Sequence, residues 1–147
     1  MEQILYGAPV AKQLDEISLK IFQEVKSNNK TPHMTAITVG DNPASLLYVS
    51  RKKEKAEELE VEFNWIKLDK NTSQEKLKEV VESESKNTDG LIVQLPLPDH
   101  LSSEDVINCI PPDVDVDGLT SYNLGSLYSN EYKVIPATSL ALSLIHI

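Results

Sequence analysis

One seven-residue stretch, Gly90-Leu91-Ile92-Val93-Gln94-Leu95-Pro96, gives the clearest indication of the architecture. Its apolar run predicts a buried strand of a parallel sheet, with residues 91–93 in the core. Gln94 then stands at the carboxyl end of that strand, where open α/β sheets form their ligand crevices. A buried amide without a partner costs about 1–3 kcal/mol. We therefore expect Gln94 to meet either a local backbone group, as a strand-capping residue does, or a partner in a ligand site.

The first half of the chain predicts a helix, a strand and a second helix. Apolar residues at spacings of three and four predict an amphipathic helix over residues 8–27. A short β-branched run predicts a strand from Met34 to Val39. After a turn, Pro43 suits the first position of a helix that extends to Leu59.

The next segment predicts another strand and helix before the strand that carries Gln94. Residues 61–65 alternate between apolar and polar side chains, as a strand does. Thr72-Ser73-Gln74-Glu75 has the spacing of a capping box, and apolar residues at 77–81 mark the helix that it opens. The complete order predicts an α/β fold: an open, right-handed, parallel βαβαβ sheet with flanking helices.

Length, composition and charge limit the classes of partner. A chain of 147 residues with 40% hydrophobic side chains has room for about one domain with a substantial core. The excess of 23 acidic over 14 basic residues gives a net charge of −9, which disfavours nucleic acid and anionic membranes as partners. Met1–Ile4 does not resemble the start of a secretory signal, and the lone Cys109 agrees with a reducing compartment. We predict a cytoplasmic location.

Tyr48 and Lys52 are the first candidates for chemistry. Residues four apart on a helix share a face, so the Tyr48 hydroxyl can meet the Lys52 ammonium. A lysine exchanges protons near neutral pH only when burial or nearby positive charge disfavours its ammonium form. The spacing alone favours a different interpretation, in which residues 51–55 form a solvated helix face with incidental salt pairs.

A second candidate is the acidic segment Asp113-Val114-Asp115-Val116-Asp117-Gly118. Apolar Val114 and Val116 favour a buried extended segment over a solvated loop, and in an extended segment the carboxylates would point the same way. Their spacing matches the start of a calcium-binding EF-hand loop, but the twelfth position, which needs a bidentate Glu, is Leu124. Without a metal, a buried Asp can instead accept two parallel N–H donors from the edge of a guanidine-like heterocycle. We predict no metal site.

Taken together, three separated motifs closely resemble the methylenetetrahydrofolate dehydrogenase/methenyltetrahydrofolate cyclohydrolase family. The motifs are residues 40–52, which include Ser45, Tyr48 and Lys52, then Gly90–Pro98, then Asp115–Gly118 with Asn123 and Gly125. The resemblance extends over nearly the whole chain and corresponds to the N-terminal, folate-site domain of that family.

The resemblance implies a role for each candidate residue. Lys52 corresponds to the acid/base of the cyclohydrolase step, and Gln94 to the glutamine that orients this lysine. Tyr48 lies beside Lys52, so Lys52, Tyr48 and Gln94 are the predicted catalytic residues. Asp117 corresponds to the aspartate that grips the amino-pyrimidine edge of the pterin. The predicted substrate-binding residues are Asp117, Tyr48, Gln94 and Ser45.

The resemblance also implies an activity and a domain organisation. The parent enzyme would oxidise 5,10-methylenetetrahydrofolate with NADP or NAD, hydrolyse 5,10-methenyltetrahydrofolate to 10-formyltetrahydrofolate, and act as a homodimer in one-carbon metabolism and purine biosynthesis. Residues 1–136 would form the folate-site catalytic domain, and residues 137–147 the start of an interdomain helix. No glycine-rich fingerprint for a dinucleotide is present, so the NAD(P)-binding Rossmann domain is predicted to be absent and no cofactor is expected on this chain. Leu142–Ile147 resembles a translated sequencing adapter, which predicts a truncated reading frame.

Two alternatives remain open at this point. The chain can be a folate-binding module without catalytic activity, because half a crevice can bind without turnover. It can also be an acidic calcium-binding module, which the missing Glu disfavours.

Overall fold

The computed structural model describes the backbone of residues 6–146 and the side chains of residues 6–144. In chain order its elements are α1 (Gly7–Ser27), β1 (His33–Val39), α2 (Pro43–Glu58), β2 (Glu62–Leu68), α3 (Gln74–Glu84), β3 (Gly90–Val93), α4 (Ser103–Ile107), α5 (Ser121–Tyr128) and α6 (Ala137–His146). The sequence-based interpretations of Met1–Ile4, of Ile147 and of the side chains at 145–147 lie outside the described residues.

The three strands form one parallel sheet in the order β2-β1-β3. Ala36 at the centre of β1 lies opposite Trp65 of β2 on one side and Ile92 of β3 on the other. Both crossovers contain a helix, as parallel neighbours require. The predicted parallel βαβαβ sheet with flanking helices is therefore confirmed.

The sheet is covered on both faces, but by different helices. On one face, Ile37 and Leu91 pack with Leu77 of α3 and Val106 of α4, all 0% exposed. On the other, Ala36 and Ile92 pack with Val49 of α2. Alternate residues of β3 thus enter different clusters, which is why the strand reads as a continuous apolar run.

Several element boundaries follow from local capping chemistry. The Asn42 side chain accepts hydrogen bonds from the backbone N–H of Ala44 and Ser45, so α2 begins at Pro43 as predicted. The predicted capping box is displaced by one residue. Ser73, rather than Thr72, caps α3 by accepting from Lys76 N, because the Thr72 hydroxyl donates to the carbonyl of Asp69.

Helix α1 forms where predicted, yet none of its residues is buried. Its apolar side chains Leu14, Ile17 and Ile21 are each about half exposed. Ion pairs attach α1 to the rest of the domain: Asp15 with Lys55 at 3.0 Å, and Lys26 with Glu60 at 2.7 Å. None of the helices formed by residues 6–146 combines the length and apolar character that a bilayer crossing requires.

The acidic segment is not extended, which corrects the sequence-based expectation. Turns occupy residues 112–114 and 116–117, and only Asp115 makes a β-bridge, to Leu91 of β3. Two short helices, α4 and α5, flank this segment and were not predicted. Each is shorter than the window over which helical periodicity is readable, and each begins at a capping residue, Ser102 and Thr120 respectively.

Candidate active site

Helix α2 brings Tyr48 and Lys52 into a cleft that also contains Gln94, the residue after β3. The two side chains line the same cleft, as their spacing predicted. Lys52 is about one-third exposed, with a relative side-chain exposure of 32%. The helix itself is held by the Asn42 cap and by Val49, which is buried against the sheet.

The other lysines of α2 pair with acidic side chains at the surface of the protein. Lys53 pairs with Glu57 one turn later. Hydrogen bonds with Glu58 and Asp15 raise the pKa of Lys55 above its ordinary value. The solvated helix face that the spacing favoured therefore exists, but Lys52 is not part of it.

Gln94 follows β3 directly and has one satisfied and one unsatisfied end. Its Nε2 donates to the carbonyl of Leu95 at 2.8 Å, whereas its Oε1 is buried without a hydrogen-bond partner among the described residues. Exchanging the two amide ends would set Oε1 against the Leu95 carbonyl, so the orientation is fixed by that contact. An unpaired buried acceptor costs about 1–3 kcal/mol, which points to a partner supplied by a ligand or by Lys52.

Asp117 faces Lys52 across the cleft. Its Oδ2 lies 3.8 Å from Lys52 Nζ, and its side chain is 31% exposed. A pair this exposed contributes only about 0–1 kcal/mol to stability. The pair can therefore be broken by a ligand at little cost in stability.

A cleft of about 520 Å³ unites these residues. Tyr48, Lys52, Gln94 and Asp117 line it together with Leu119 and residues 136–139 at the start of α6. The structure thus brings four of the five predicted site residues to one place. The contribution of residues 136–139 was not anticipated, because the sequence gives no signal for which distant segment closes a cleft.

Ser45 is placed differently. It lies in the first turn of α2, is 6% exposed, and donates from its hydroxyl to the carbonyl of Leu95 at 3.4 Å. It is not among the residues that line the cleft. Its position ties α2 to the segment that carries Gln94, and direct contact with substrate stays a prediction.

The three carboxylates of the acidic segment have separate partners. Asp113 is exposed beside Lys133, Asp115 is buried and accepts from backbone N–H groups, and Asp117 faces Lys52. A calcium loop needs these oxygens to converge on one ion. Among the residues that the structure describes, no group of three or more His, Cys, Asp or Glu is arranged to hold a metal.

A second cleft of about 480 Å³ adjoins the first and is almost wholly apolar. Phe22, Met34, Leu59 and Val116 contribute to its walls. Tyr48 and Lys52 line both clefts. Gln94 and Asp117 line the first cleft and not the second.

Comparisons with known proteins agree on one family. Residues 5–117 match the family described as tetrahydrofolate dehydrogenase/cyclohydrolase, catalytic domain. The bifunctional protein FolD of Anaplasma marginale is 39% identical over 142 residues, which cover 94% of this chain and 48% of that protein. The mitochondrial bifunctional methylenetetrahydrofolate dehydrogenase/cyclohydrolase of Gallus gallus is 34% identical, with 92% and 41% covered.

Solved structures agree in fold and extent. The bifunctional enzyme FolD of Campylobacter jejuni superposes with a TM-score of 0.93 at 29% identity, over 97% of this chain and 52% of that one. The 5,10-methylenetetrahydrofolate dehydrogenase of Bombyx mori gives a TM-score of 0.93 at 32% identity, over 99% and 51%. The chain spans about half the length of the relatives it matches. By the match over most of its residues, it belongs to the tetrahydrofolate dehydrogenase/cyclohydrolase family.

Proposed function

We propose that this chain forms the folate site of a bifunctional methylenetetrahydrofolate dehydrogenase/cyclohydrolase, and that its own residues carry the cyclohydrolase step. The observation that supports this most is the cleft that Tyr48, Lys52, Gln94 and Asp117 line together. These residues come from three separate segments of the chain.

Asp117 is proposed to bind the pterin. The amino-pyrimidine edge of a folate offers two parallel N–H donors, and a carboxylate accepts both in charge-assisted hydrogen bonds. About a third of the Asp117 side chain is exposed, so such an edge can reach its oxygens. Tyr48, 59% exposed at the same cleft, offers a ring face to an aromatic part of the ligand.

Lys52 is proposed to move the protons of hydrolysis. Water adds to the methenyl carbon of 5,10-methenyltetrahydrofolate, and the bond from that carbon to N5 then breaks to leave a formyl group on N10. Lys52 accepts a proton from the adding water and returns one to N5 as it leaves; the excess proton goes to solvent. The orphan Oε1 of Gln94 supplies an acceptor that can hold either the lysine or the water.

Ligand binding would itself prepare Lys52. In the free protein Asp117 is its nearest acidic partner, at 3.8 Å. A pterin edge that occupies Asp117 weakens that ion pair, and the cationic methenyl group adds positive charge nearby. Both changes free the Lys52 Nζ from Asp117, so that it can turn to the one-carbon group of the ligand.

The oxidation step is proposed to need residues beyond these 147. The described strand-to-helix turns lack the glycine-rich pattern of a dinucleotide site, and side-chain caps already meet part of their N–H groups: Asn42 accepts from Ala44 and Ser45 in α2, and Ser73 from Lys76 in α3. A Trypanosoma brucei relative of 26% identity was solved with NADP and an inhibitor, and this chain covers 52% of it. We therefore propose that NADP or NAD binds a Rossmann domain corresponding to the other half of the relatives.

The remaining parts of the proposal concern organisation. Residues 1–136 would form the folate-site domain and α6 the start of an interdomain helix. A homodimer of the full-length protein is carried over from the family resemblance, and a cytoplasmic location from the lone Cys109 and the composition. Sedimentation of the full-length protein and fractionation of cells that express it would check these two proposals.

Loss of 5,10-methenyltetrahydrofolate absorbance with purified residues 1–147 tests the proposed function. A protein-dependent rate above spontaneous hydrolysis is expected. Calorimetric titration with 5-formyltetrahydrofolate, a stable ligand with the same pterin edge, separates the alternatives. Binding without turnover would favour a non-catalytic folate-binding module, and the absence of both would overturn the proposal.

A further inference from the structure

The most completely satisfied carboxylate of the structure is not in the cleft but immediately behind it. Asp115 is 2% exposed. Its Oδ1 accepts from Leu119 N at 3.2 Å, and its Oδ2 accepts from Thr120 N at 2.8 Å and from Asn123 Nδ2 at 2.9 Å. A buried carboxylate is stable only with such a set of donors.

These bonds close a short loop that contains Asp117. The loop runs from Asp115 to Thr120, and a backbone bond from Gly118 N to the Asp115 carbonyl, at 3.2 Å, tightens it further. Gly118 has a φ of +66°, a conformation that residues other than glycine rarely adopt. The path of the backbone at Asp117 is therefore determined from both sides.

The loop is also fixed relative to the sheet. Asp115 bridges Leu91, and Leu91 N donates to the Val114 carbonyl at 2.7 Å. Val116 packs so closely over Gly90 that a Cβ there would lie 2.7 Å from its Cγ1. Side chains therefore alternate in direction: Asp115 inward, Val116 onto β3, Asp117 into the cleft.

We propose that Asp115 is a positioning residue, which acts on ligand binding only through Asp117. Asp115 fixes how far the Asp117 carboxylate lies from β3 and from Lys52. At that position the carboxylate can accept two hydrogen bonds from the edge of a flat heterocycle. Asn123 supports this role because its Nδ2 also donates to the Pro112 carbonyl, which joins α5 to the loop. The inference rests on the proposed function, since it takes a pterin edge as the ligand of Asp117.

The substitution Asp115→Asn is close to isosteric but replaces one acceptor oxygen by an NH₂ group. That group would face donors from Thr120 or Leu119 and displace the loop. We expect Asp115→Asn to weaken binding of 5-formyltetrahydrofolate by about tenfold.

A double-mutant cycle separates positioning from a general loss of stability. If Asp115 acts through Asp117, then adding Asp115→Asn to Asp117→Asn should weaken binding by no more than about a further twofold. The control is Val106→Ala, which opens the core on the far side of the sheet, where Val106 is 0% exposed. Its small effect on affinity should be the same with and without Asp117→Asn, in calorimetry well below the melting temperature of each variant.

Equal effects of Asp115→Asn in both backgrounds would overturn the inference and leave the proposed function intact. If the unsubstituted chain fails to bind, or if Asp117→Asn leaves its affinity unchanged, the proposed ligand contact fails first and the inference falls with it.

Should Asp115→Asn not fold, Asn123→Ala enters the same cycle, because it removes one donor and leaves both backbone donors in place. Its loss of affinity should likewise disappear in the Asp117→Asn background; a loss that persists there would overturn the inference.

Discussion

At the scale of single residues, the site depends on which of several similar side chains faces the cleft. The lysines of α2 are close in sequence, yet Lys53 and Lys55 pair with acidic residues at the surface while Lys52 lines the cleft with Gln94 and Asp117. The aspartates of the acidic segment differ in the same way. Neither residue type nor helical spacing separated them; the family resemblance did.

Replacing Lys52 tests its role in proton transfer. Lys52→Met retains most of the apolar stem but removes the group that exchanges protons. Cyclohydrolase turnover should fall by about 10²–10⁴-fold, with a much smaller change in folate affinity. Absorbance decay of 5,10-methenyltetrahydrofolate measures the first quantity and calorimetry the second. The control is Lys53→Met, at the exposed lysine that pairs with Glu57, and it should leave turnover and affinity unchanged. Unaltered turnover in Lys52→Met would remove Lys52 from the mechanism.

Replacing Asp117 tests its contact with the pterin. Asp117→Asn keeps the shape but loses the charge and one acceptor oxygen, so binding of 5-formyltetrahydrofolate should weaken by about 1–3 kcal/mol. Asp113→Asn, at an exposed residue beside Lys133, is the control and should change nothing. A calcium-dependent rise in melting temperature that Asp117→Asn abolishes would instead favour the metal-binding alternative.

At the scale of elements, short connections between the sheet and the helices shape the cleft. Gly118 illustrates this, because a Cβ there would lie 3.0 Å from Pro136 N and 3.2 Å from the carbonyl carbon of Ile135. The turn after Asp117 and the start of α6 therefore pack backbone against backbone. That close approach makes residues 136–139 part of the cleft wall.

Two glycine substitutions, each to alanine, should have opposite effects on stability. Gly118→Ala combines a positive φ with that backbone clash and should lower the free energy of unfolding by at least about 1–2 kcal/mol. Gly125→Ala lies on the exposed side of α5 with nothing within 4 Å of the added Cβ, and should raise it by up to about 1 kcal/mol. Urea denaturation measures both. A Gly118→Ala variant as stable as the unsubstituted protein would mean that the turn does not pack against residues 135–136 as described.

At the scale of the whole molecule, residues 6–146 form a three-stranded parallel sheet beside the cleft of Lys52, Gln94 and Asp117, and none of their strand-to-helix turns carries the glycine-rich fingerprint of a dinucleotide site. Purified residues 1–147 should therefore show no reduction of NADP or NAD with 5,10-methylenetetrahydrofolate. Hydride transfer needs the nicotinamide held against the methylene carbon, which requires a site for its pyrophosphate. Absorbance of the reduced cofactor measures this, and a protein-dependent increase would place the cofactor site within these residues.

The sequence predicted the fold well where periodicity extends over long segments. The parallel direction of the strands followed from the apolar runs at 34–39 and 91–93, the alternating run at 61–65 and the helices between them. Helices α4 and α5 were missed because their short lengths give no periodic signal, and the acidic segment was wrongly expected to be extended because its alternation imitates a strand. The segment instead forms a turn, which is closed by hydrogen bonds from Leu119 N and Thr120 N to the Asp115 carboxylate.

The site was predictable only in part, and for a physical reason. Lys52, Tyr48, Gln94 and Asp117 were identified by motif resemblance, and the structure brings them together. The Lys52–Asp117 pair and the buried Asp115–Asn123 contact depend on how distant segments meet, which local patterns do not encode. Ser45 had the same motif support, yet its hydroxyl is directed to the carbonyl of Leu95.

A crystal structure of this chain with 5-formyltetrahydrofolate tests the central claim most directly. We predict that the amino-pyrimidine edge lies about 2.7–2.9 Å from the Asp117 carboxylate oxygens, as charge-assisted hydrogen bonds require. The one-carbon side of the ligand should face Lys52 Nζ and the Oε1 of Gln94. A ligand seated instead in the apolar cleft lined by Phe22 and Leu59, with Asp117 still paired to Lys52, would contradict the assignment of this site.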